Sequence, residues 1–151
     1  LAPPVPEVIG IDHIYITVTD LKRSEQFYDI VMLCLGFRKS IFQLDGETHI
    51  HYYNRHFSYV LRPARDSAPY DAYTPGIHHL CLRVHGEQDV NETVELLEKS
   101  SIAVSEPRLY PQYAPDYYAV YFRDPDGMHL EVTNYRLERR QRHDDWENTG
   151  R

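Results

Sequence analysis

The segment "DHIYITVTD", Asp12–Asp20, alternates with period two: Ile14, Ile16 and Val18 fall on one side, His13, Tyr15 and Thr17 on the other. That pattern is a β-strand with an aliphatic face and a polar face. "HHLCLRV", His78–Val84, does the same with Leu80, Leu82 and Val84 set against His79, Cys81 and Arg83. Laying His13 on His79, an offset of 66 residues, matches Ile14 with Leu80, Ile16 with Leu82 and Val18 with Val84. The chain repeats itself.

The segments after these two strands repeat as well. Behind the first, Asp20 is placed to cap a helix over "LKRSEQFYDIVMLCL", where Leu21, Phe27, Tyr28, Val31 and Leu35 recur at near-helical spacing before Gly36 ends the run. Three strands are then expected at "FRKSIFQL", "ETHIHYYN" and "FSYVLRP", the first two joined by a hairpin turn at Asp45-Gly46. In the second half "VNETVELLEKS" reads as an amphipathic helix, and "AVSEPRLY", "YYAVYFR" and "MHLEVTN" read as strands. The order is a tandem βαβββ unit, an α+β fold. Its expected divisions are an extended, Pro-stiffened arm over residues 1–10, one domain over 11–135 with modules at about 11–65 and about 76–135, and a polar tail over 136–151.

Composition narrows the function. A chain of 151 residues holds one sizeable core rather than two independent domains of usual size. The longest apolar stretch, Ile30 to Phe37, is far short of a membrane span, and no signal-like segment opens the chain, so a soluble cytoplasmic protein is expected. The first residue is Leu1 rather than Met, which leaves room for a natural start upstream. A net charge of −7 argues against nucleic acid as partner; the basic run "RLERRQR" meets "HDDWE" at once and reads as a solvated tail or terminal helix. Two cysteines, Cys34 and Cys81, make no disulfide framework and are expected to be reduced. The 13 tyrosines suggest a pocket or interface with apolar walls and hydroxyl tips.

Parity then singles out a site. If helices cover the aliphatic faces, His13 and His79 point to the other side of their sheets, and in "MHLEV" Glu131 does the same, between Leu130 and Val132. Two imidazoles and a carboxylate suit Fe, Mn, Ni or Zn and leave coordination positions open for substrate or water. A buried glutamate also needs a partner, which a cation supplies. His78 has the parity of Leu80 and Leu82 and reads as a packed or capping residue. Tyr15, Tyr59, Tyr113, Tyr118 and Tyr121 are candidate walls, and "LYPQYAPDYY" reads as a rigid aromatic loop, a lid or a dimer contact.

Three segments, "DHIYITVTDLKRSEQFYDIVMLCLGF", "PGIHHLCLRV" and "YYAVYFRDPDGMHLEVTN", resemble the vicinal oxygen chelate superfamily of glyoxalases, fosfomycin-resistance and bleomycin-resistance proteins and extradiol dioxygenases. The resemblance spans about Ile11 to Tyr135. It implies paired modules forming an incomplete, cup-shaped mixed barrel with helices outside, one divalent metal per site, a small-molecule substrate chelated through vicinal oxygens, and commonly a homodimer. Carried over by position, the metal ligands are His13, His79 and Glu131. "DPDG", Asp124–Gly127, is a tight turn that delivers Glu131.

The departures from that pattern bear on the reaction. Glyoxalase I takes a fourth ligand from the last strand of its first module; here "FSYVLRP" offers only Tyr59 and Leu61 where it would fall, and no carboxylate or amide lies between Phe57 and Pro63. Tyr121, ten residues before Glu131, resembles the dioxygenase residue that contacts substrate oxygen and is the catalytic candidate. The further acid–base histidines of those enzymes have no clear counterpart, His56 being nearest. Tyr59, Tyr113, Tyr118 and Arg83 are the substrate-binding candidates; a phosphonate would need a cationic pocket, to which Arg83 and Arg62 could contribute, but no basic cluster is evident. The resemblance therefore implies lyase, isomerase or ring-cleaving dioxygenase chemistry, with a metal-free binding protein of the bleomycin-resistance type as the alternative.

Overall fold

The computed structural model describes residues 4–148. The ends of the expected arm and tail, 1–3 and 149–151, lie outside the described residues. The chain divides into two compact units, Leu1–Pro69 and Tyr70–Arg151.

Unit 1 runs β1 (His13–Val18), α1 (Leu21–Cys34), β2 (Arg38–Leu44), β3 (Glu47–Tyr53) and β4 (Ser58–Pro63). Its sheet has the order β1-β4-β3-β2, with β1 and β4 parallel and the other pairs antiparallel. Unit 2 repeats this with β5 (His79–Val84), α2 (Glu87–Lys99), β6 (Arg108–Leu109), β7 (Tyr118–Arg123) and β8 (His129–Asn134), in the order β5-β8-β7-β6. The expected tandem βαβββ order is what the chain forms, as two four-stranded mixed sheets.

Local chemistry sets the boundaries. Asp20 caps α1: its Oδ1 accepts the Arg23 N–H at 3.0 Å, meeting one of the unpaired donors of the first turn. Gly36 follows the helix with φ +86, a left-handed conformation that glycine adopts without a Cβ clash. At the β2–β3 hairpin both Asp45 and Gly46 have positive φ, as a two-residue turn matched to strand twist requires. In Asp124–Gly127 the Gly127 N–H reaches the Asp124 carbonyl at 2.9 Å, and Asp124 Oδ1 accepts from the N–H groups of Asp126 and Met128. That turn fixes the start of β8.

Each sheet buries one face under its own helix. In unit 1, Tyr28, Val31 and Met32 of α1 are buried along with Val18, Ile50, Tyr52 and Leu61 of the sheet, and α1 packs on β2 and β4. In unit 2, Val90, Val94 and Leu97 form the buried stripe of α2, which packs on β7 and β8, where Val120, Leu130 and Val132 are buried. Each such aliphatic side chain contributes about 1.5–3 kcal/mol when fully buried.

Two expectations change and a third is narrowed. "AVSEPRLY" is not a full strand: only Arg108–Leu109 pairs regularly with β7, and Val104 forms an isolated bridge to Phe122. Pro107 in between has no N–H to give the ladder. Of the two readings of the basic run, the terminal helix is the one formed: α3 (Leu137–Asp144) is tied down where Asp116 Oδ2 accepts the Leu137 N–H at 2.9 Å and Arg140 donates to the His85 carbonyl at 3.1 Å. The position in unit 1 that matches Glu131 by register is Val60, not Tyr59 or Leu61. Both cysteines are free, and among the described residues no helix is long and apolar enough to cross a membrane.

Candidate functional site

Strand register assembles the carboxylate face of unit 2. β5 and β8 pair in parallel with His79 opposite His129, Cys81 opposite Glu131 and Arg83 opposite Thr133; on the other side of β8, Tyr121 of β7 is opposite Glu131. Residues directly opposite share a face, so Cys81, Glu131 and Tyr121 form one row and His79 lies one step along the strand.

Glu131 is 3% exposed, and burying a carboxylate that deeply is costly unless its oxygens find partners. Oε2 accepts a hydrogen bond from the Tyr117 hydroxyl. Oε1 faces His79 Nε2 at 3.7 Å, too long for a hydrogen bond. The other ring nitrogen of His79, Nδ1, lies 2.8 Å from Nδ1 of His78. If His79 donates there, its Nε2 presents a lone pair toward a buried carboxylate oxygen, an arrangement that a cation between them would satisfy. Two ligands about 2.1 Å from one ion stand roughly 3–3.6 Å apart, so the spacing fits a shared divalent ion.

Four tyrosines surround this pair. Tyr110 sets its ring edge-on to Tyr121 at 5.4 Å, Tyr113 lies 5.1 Å from Tyr117, and the Arg136 guanidinium sits 4.4 Å above the Tyr117 ring. Burial, and then the bond to Glu131, push the Tyr117 phenol above its usual range; burial and the nearby Glu131 charge do the same to Tyr121. Both stay neutral hydroxyl donors at neutral pH. The surrounding protein and the Glu131 charge push the Cys81 thiol up to about 12, so it is no thiolate there.

The face of unit 1 that carries His13 is differently furnished. His13 shares it with Tyr15 and Thr17, and its Nδ1 lies 2.7 Å from Asp12 Oδ2. Ser58 is opposite His13, and His51 is held between Ser40 Oγ at 3.0 Å and Ser58 Oγ at 2.9 Å. His49 is fully buried against Phe42, its Nδ1 meeting the Glu47 carbonyl at 2.9 Å while Nε2 has no hydrogen-bond partner.

Of the candidates read from sequence, His79, Glu131 and Tyr121 come together in unit 2, and Tyr113 lies beside them through Tyr117. His13 is on the matching face of unit 1. Among the described residues no group of three or more histidine, cysteine, aspartate or glutamate side chains is gathered to hold a metal. Tyr118 points the other way and donates to Asn91 of α2 at 2.6 Å; Tyr59 is buried in the unit 1 core with its hydroxyl on that of Tyr28 at 3.0 Å. Arg83 stacks on the Tyr135 ring at 4.3 Å, and Arg62 is engaged by Glu47 at 2.8 Å. His78 is exposed and turned onto His79 rather than packed with Leu80, because it precedes the strand and parity does not govern it. Tyr117 is the site residue that sequence reasoning misses, although it has the parity of Tyr121 and could be read from it.

The family model of the Glyoxalase/Bleomycin resistance protein/Dioxygenase superfamily matches residues 10–132, and the chain belongs to that superfamily. It is 23% identical to the metallothiol transferase FosB of Staphylococcus epidermidis over 146 residues, covering 95% of this chain and 94% of the relative. Among solved structures it resembles a glyoxylase/bleomycin resistance protein/dioxygenase domain from Frankia sp. EAN1pec, with a TM-score of 0.72, 25% identity, and coverage of 86% of this chain and 100% of that one. It also shares the fold of the fosfomycin resistance protein FosX of Listeria monocytogenes, solved with Mn(II) and 1S,2S-dihydroxypropylphosphonic acid, at a TM-score of 0.66 and 17% identity over 89% of this chain and 98% of that one.

Proposed function

We propose that this superfamily member is a metal-dependent enzyme acting on a small substrate that chelates a divalent ion through two neighbouring oxygens. The observation that carries the reading is Glu131: a buried carboxylate with one oxygen held by Tyr117 and the other 3.7 Å from His79 Nε2. The residues to hold the ion are His79 and Glu131 together with His13, the last from the same chain or from a second copy in a homodimer. A divalent ion so held supplies Lewis-acid stabilisation of negative charge developing on substrate oxygen.

The chain's own groups do the rest. Tyr121, opposite Glu131 and neutral, donates a hydrogen bond to a substrate oxygen, and Tyr113 forms an aromatic wall. Arg83, two residues beyond Cys81 on the same face, offers positive charge to an anionic end of the substrate. The Mn(II) bound in the FosX structure and the name of the metallothiol transferase FosB support a metal requirement; lyase, isomerase and ring-cleaving dioxygenase chemistry all fall within the reading. A cytoplasmic location fits such a small-molecule enzyme.

A second reading, a metal-free small-molecule binding protein of the bleomycin-resistance type, draws on the fact that no three candidate ligands are gathered among the described residues. One experiment separates the two. Protein stripped with a chelator and reloaded in turn with Mn, Fe, Ni or Zn is screened against hydroxyketones, hydroxyacids and catechols in an oxygen-electrode cell. Turnover confined to the reloaded protein supports the enzyme, and oxygen uptake marks a dioxygenase. Aromatic-ligand binding without metal uptake or turnover supports the second reading.

A further inference from the structure

Cys81 and Tyr121 lie opposite Glu131 in the sheet, and His78 and Tyr117 reach the His79–Glu131 pair from just outside the strands. At the His78–His79 contact two Nδ1 atoms stand 2.8 Å apart, so one carries the proton and the other accepts it. With His79 as donor, its proton is on Nδ1 and its Nε2 lone pair faces Glu131. With His78 as donor, the proton of a neutral His79 sits on Nε2 and faces Glu131 as an ordinary N–H. The two tautomers make opposite sites.

The backbone that carries His78 is anchored, and its ring has an aromatic neighbour. The Tyr70 hydroxyl donates to the carbonyls of Ile77 at 2.6 Å and His78 at 3.1 Å, and the Tyr73 ring meets the His78 ring edge-on at 5.1 Å. Tyr117 is braced likewise: Arg136, itself 9% exposed, lies over its ring, and Tyr113 and Tyr110 flank it. Tyr117 takes up Oε2 of Glu131 and leaves Oε1 toward His79.

Resting on the reading of a metal site above, we propose that His78 and Tyr117 are the positioning residues of its unit 2 half. His78 Nδ1 accepts the Nδ1–H of His79, Tyr117 holds Oε2 of Glu131, and the atoms offered to a divalent ion are His79 Nε2 and Glu131 Oε1. An outer partner on each ligand fixes tautomer and ring orientation in the first case and single-oxygen ligation in the second. Neither residue touches the ion.

The test uses the full chain as wild type, Tyr117→Phe, His78→Phe and His78→Gln, the last keeping a side-chain acceptor. Zn²⁺ affinity is measured by calorimetry, the visible spectrum is recorded with Co²⁺ in its place, and ¹⁵N NMR reads the His79 tautomer. Melting temperatures of the metal-free proteins check folding. Expected are Zn²⁺ affinities lower by about tenfold or more in both Phe variants at unchanged stoichiometry, shifted cobalt bands, partial recovery in His78→Gln, and an Nδ1-protonated His79 in wild type. Wild-type affinity and spectra in both Phe variants would overturn the inference while leaving the metal site standing. A wild type that binds no divalent ion overturns both. Should a Phe variant fail to fold, the wild-type tautomer decides, an Nε2-protonated His79 in the zinc-loaded protein counting against the role of His78.

Discussion

Glu131 on β8 and Val60 on β4 occupy the same place in two sheets of the same strand order. In unit 2, Glu131 is opposite Cys81 and Tyr121; in unit 1, Val60 is opposite Tyr15 and His51. Where one sheet has a carboxylate held by a tyrosine, the other has an aliphatic residue flanked by a histidine strung between two serines. The backbone repeat was kept while the chemistry diverged, so the frame positions side chains without dictating which ones. His13 and His79 are the part of the pattern both units share.

The sharpest way to break that contrast is to write the unit 2 residue into unit 1. Val60 is 2% exposed, and Val60→Glu puts a carboxylate there with no tyrosine donor in the place of Tyr117. A loss of about 3 kcal/mol or more is expected, read as a fall in melting temperature in the presence of chelator. Unchanged stability would mean that the two faces are less different than their residues suggest.

The helix sides differ as well. In unit 2 the buried stripe of α2 is aliphatic and its hydrogen bond to the sheet, from Tyr118 to Asn91, joins two neutral groups; in unit 1 buried Tyr52 donates to Asp29 Oδ1 at 2.7 Å, and Lys39 Nζ joins Glu25 at 2.7 Å and Asp29 at 2.9 Å. Tyr52→Phe removes one hydrogen bond to a charged group and is expected to cost about 1.5–3 kcal/mol in urea unfolding. A neutral outcome would make this latch incidental to α1 packing.

The smallest effect concerns Glu47, whose carboxyl Arg65 and then Arg62 hold down from an ordinary 4.5 to about 2. A depressed carboxylate stabilises the fold fully above pH 4.5 and loses that contribution as pH falls from there toward 2. The stability gap between wild type and Glu47→Gln should therefore close over that window, and high salt should shrink it at neutral pH. A gap independent of pH would show that the pair acts through packing alone.

Much of this is legible in the residues. The period-two strands around His13, His79 and Glu131 alternate cleanly because one face is aliphatic, and Asp20, Asp45-Gly46 and Asp124–Gly127 carry their turn chemistry locally. Where alternation fails, the sequence says less. In "SYVLRP" Tyr59, Val60 and Leu61 are all buried, so nothing in the apolar run says which residue shares the face of His13. His78 lies before its strand and escapes parity, whereas Tyr117, one residue before β7, keeps the parity of Tyr121. The arginines of 136–142 look like solvent-facing charge, yet Arg136, two residues beyond β8 and just before α3, packs on the Tyr117 ring.

The most direct measurement is the divalent-metal content of wild type, His13→Ala, Glu131→Gln and Val60→Ala after equilibrium dialysis against one metal at a time. Near one ion per chain in wild type and Val60→Ala, with affinity falling by about a hundredfold or more in His13→Ala and Glu131→Gln, is the predicted result. Metal content unaffected by loss of His13 or of the Glu131 carboxylate would contradict it.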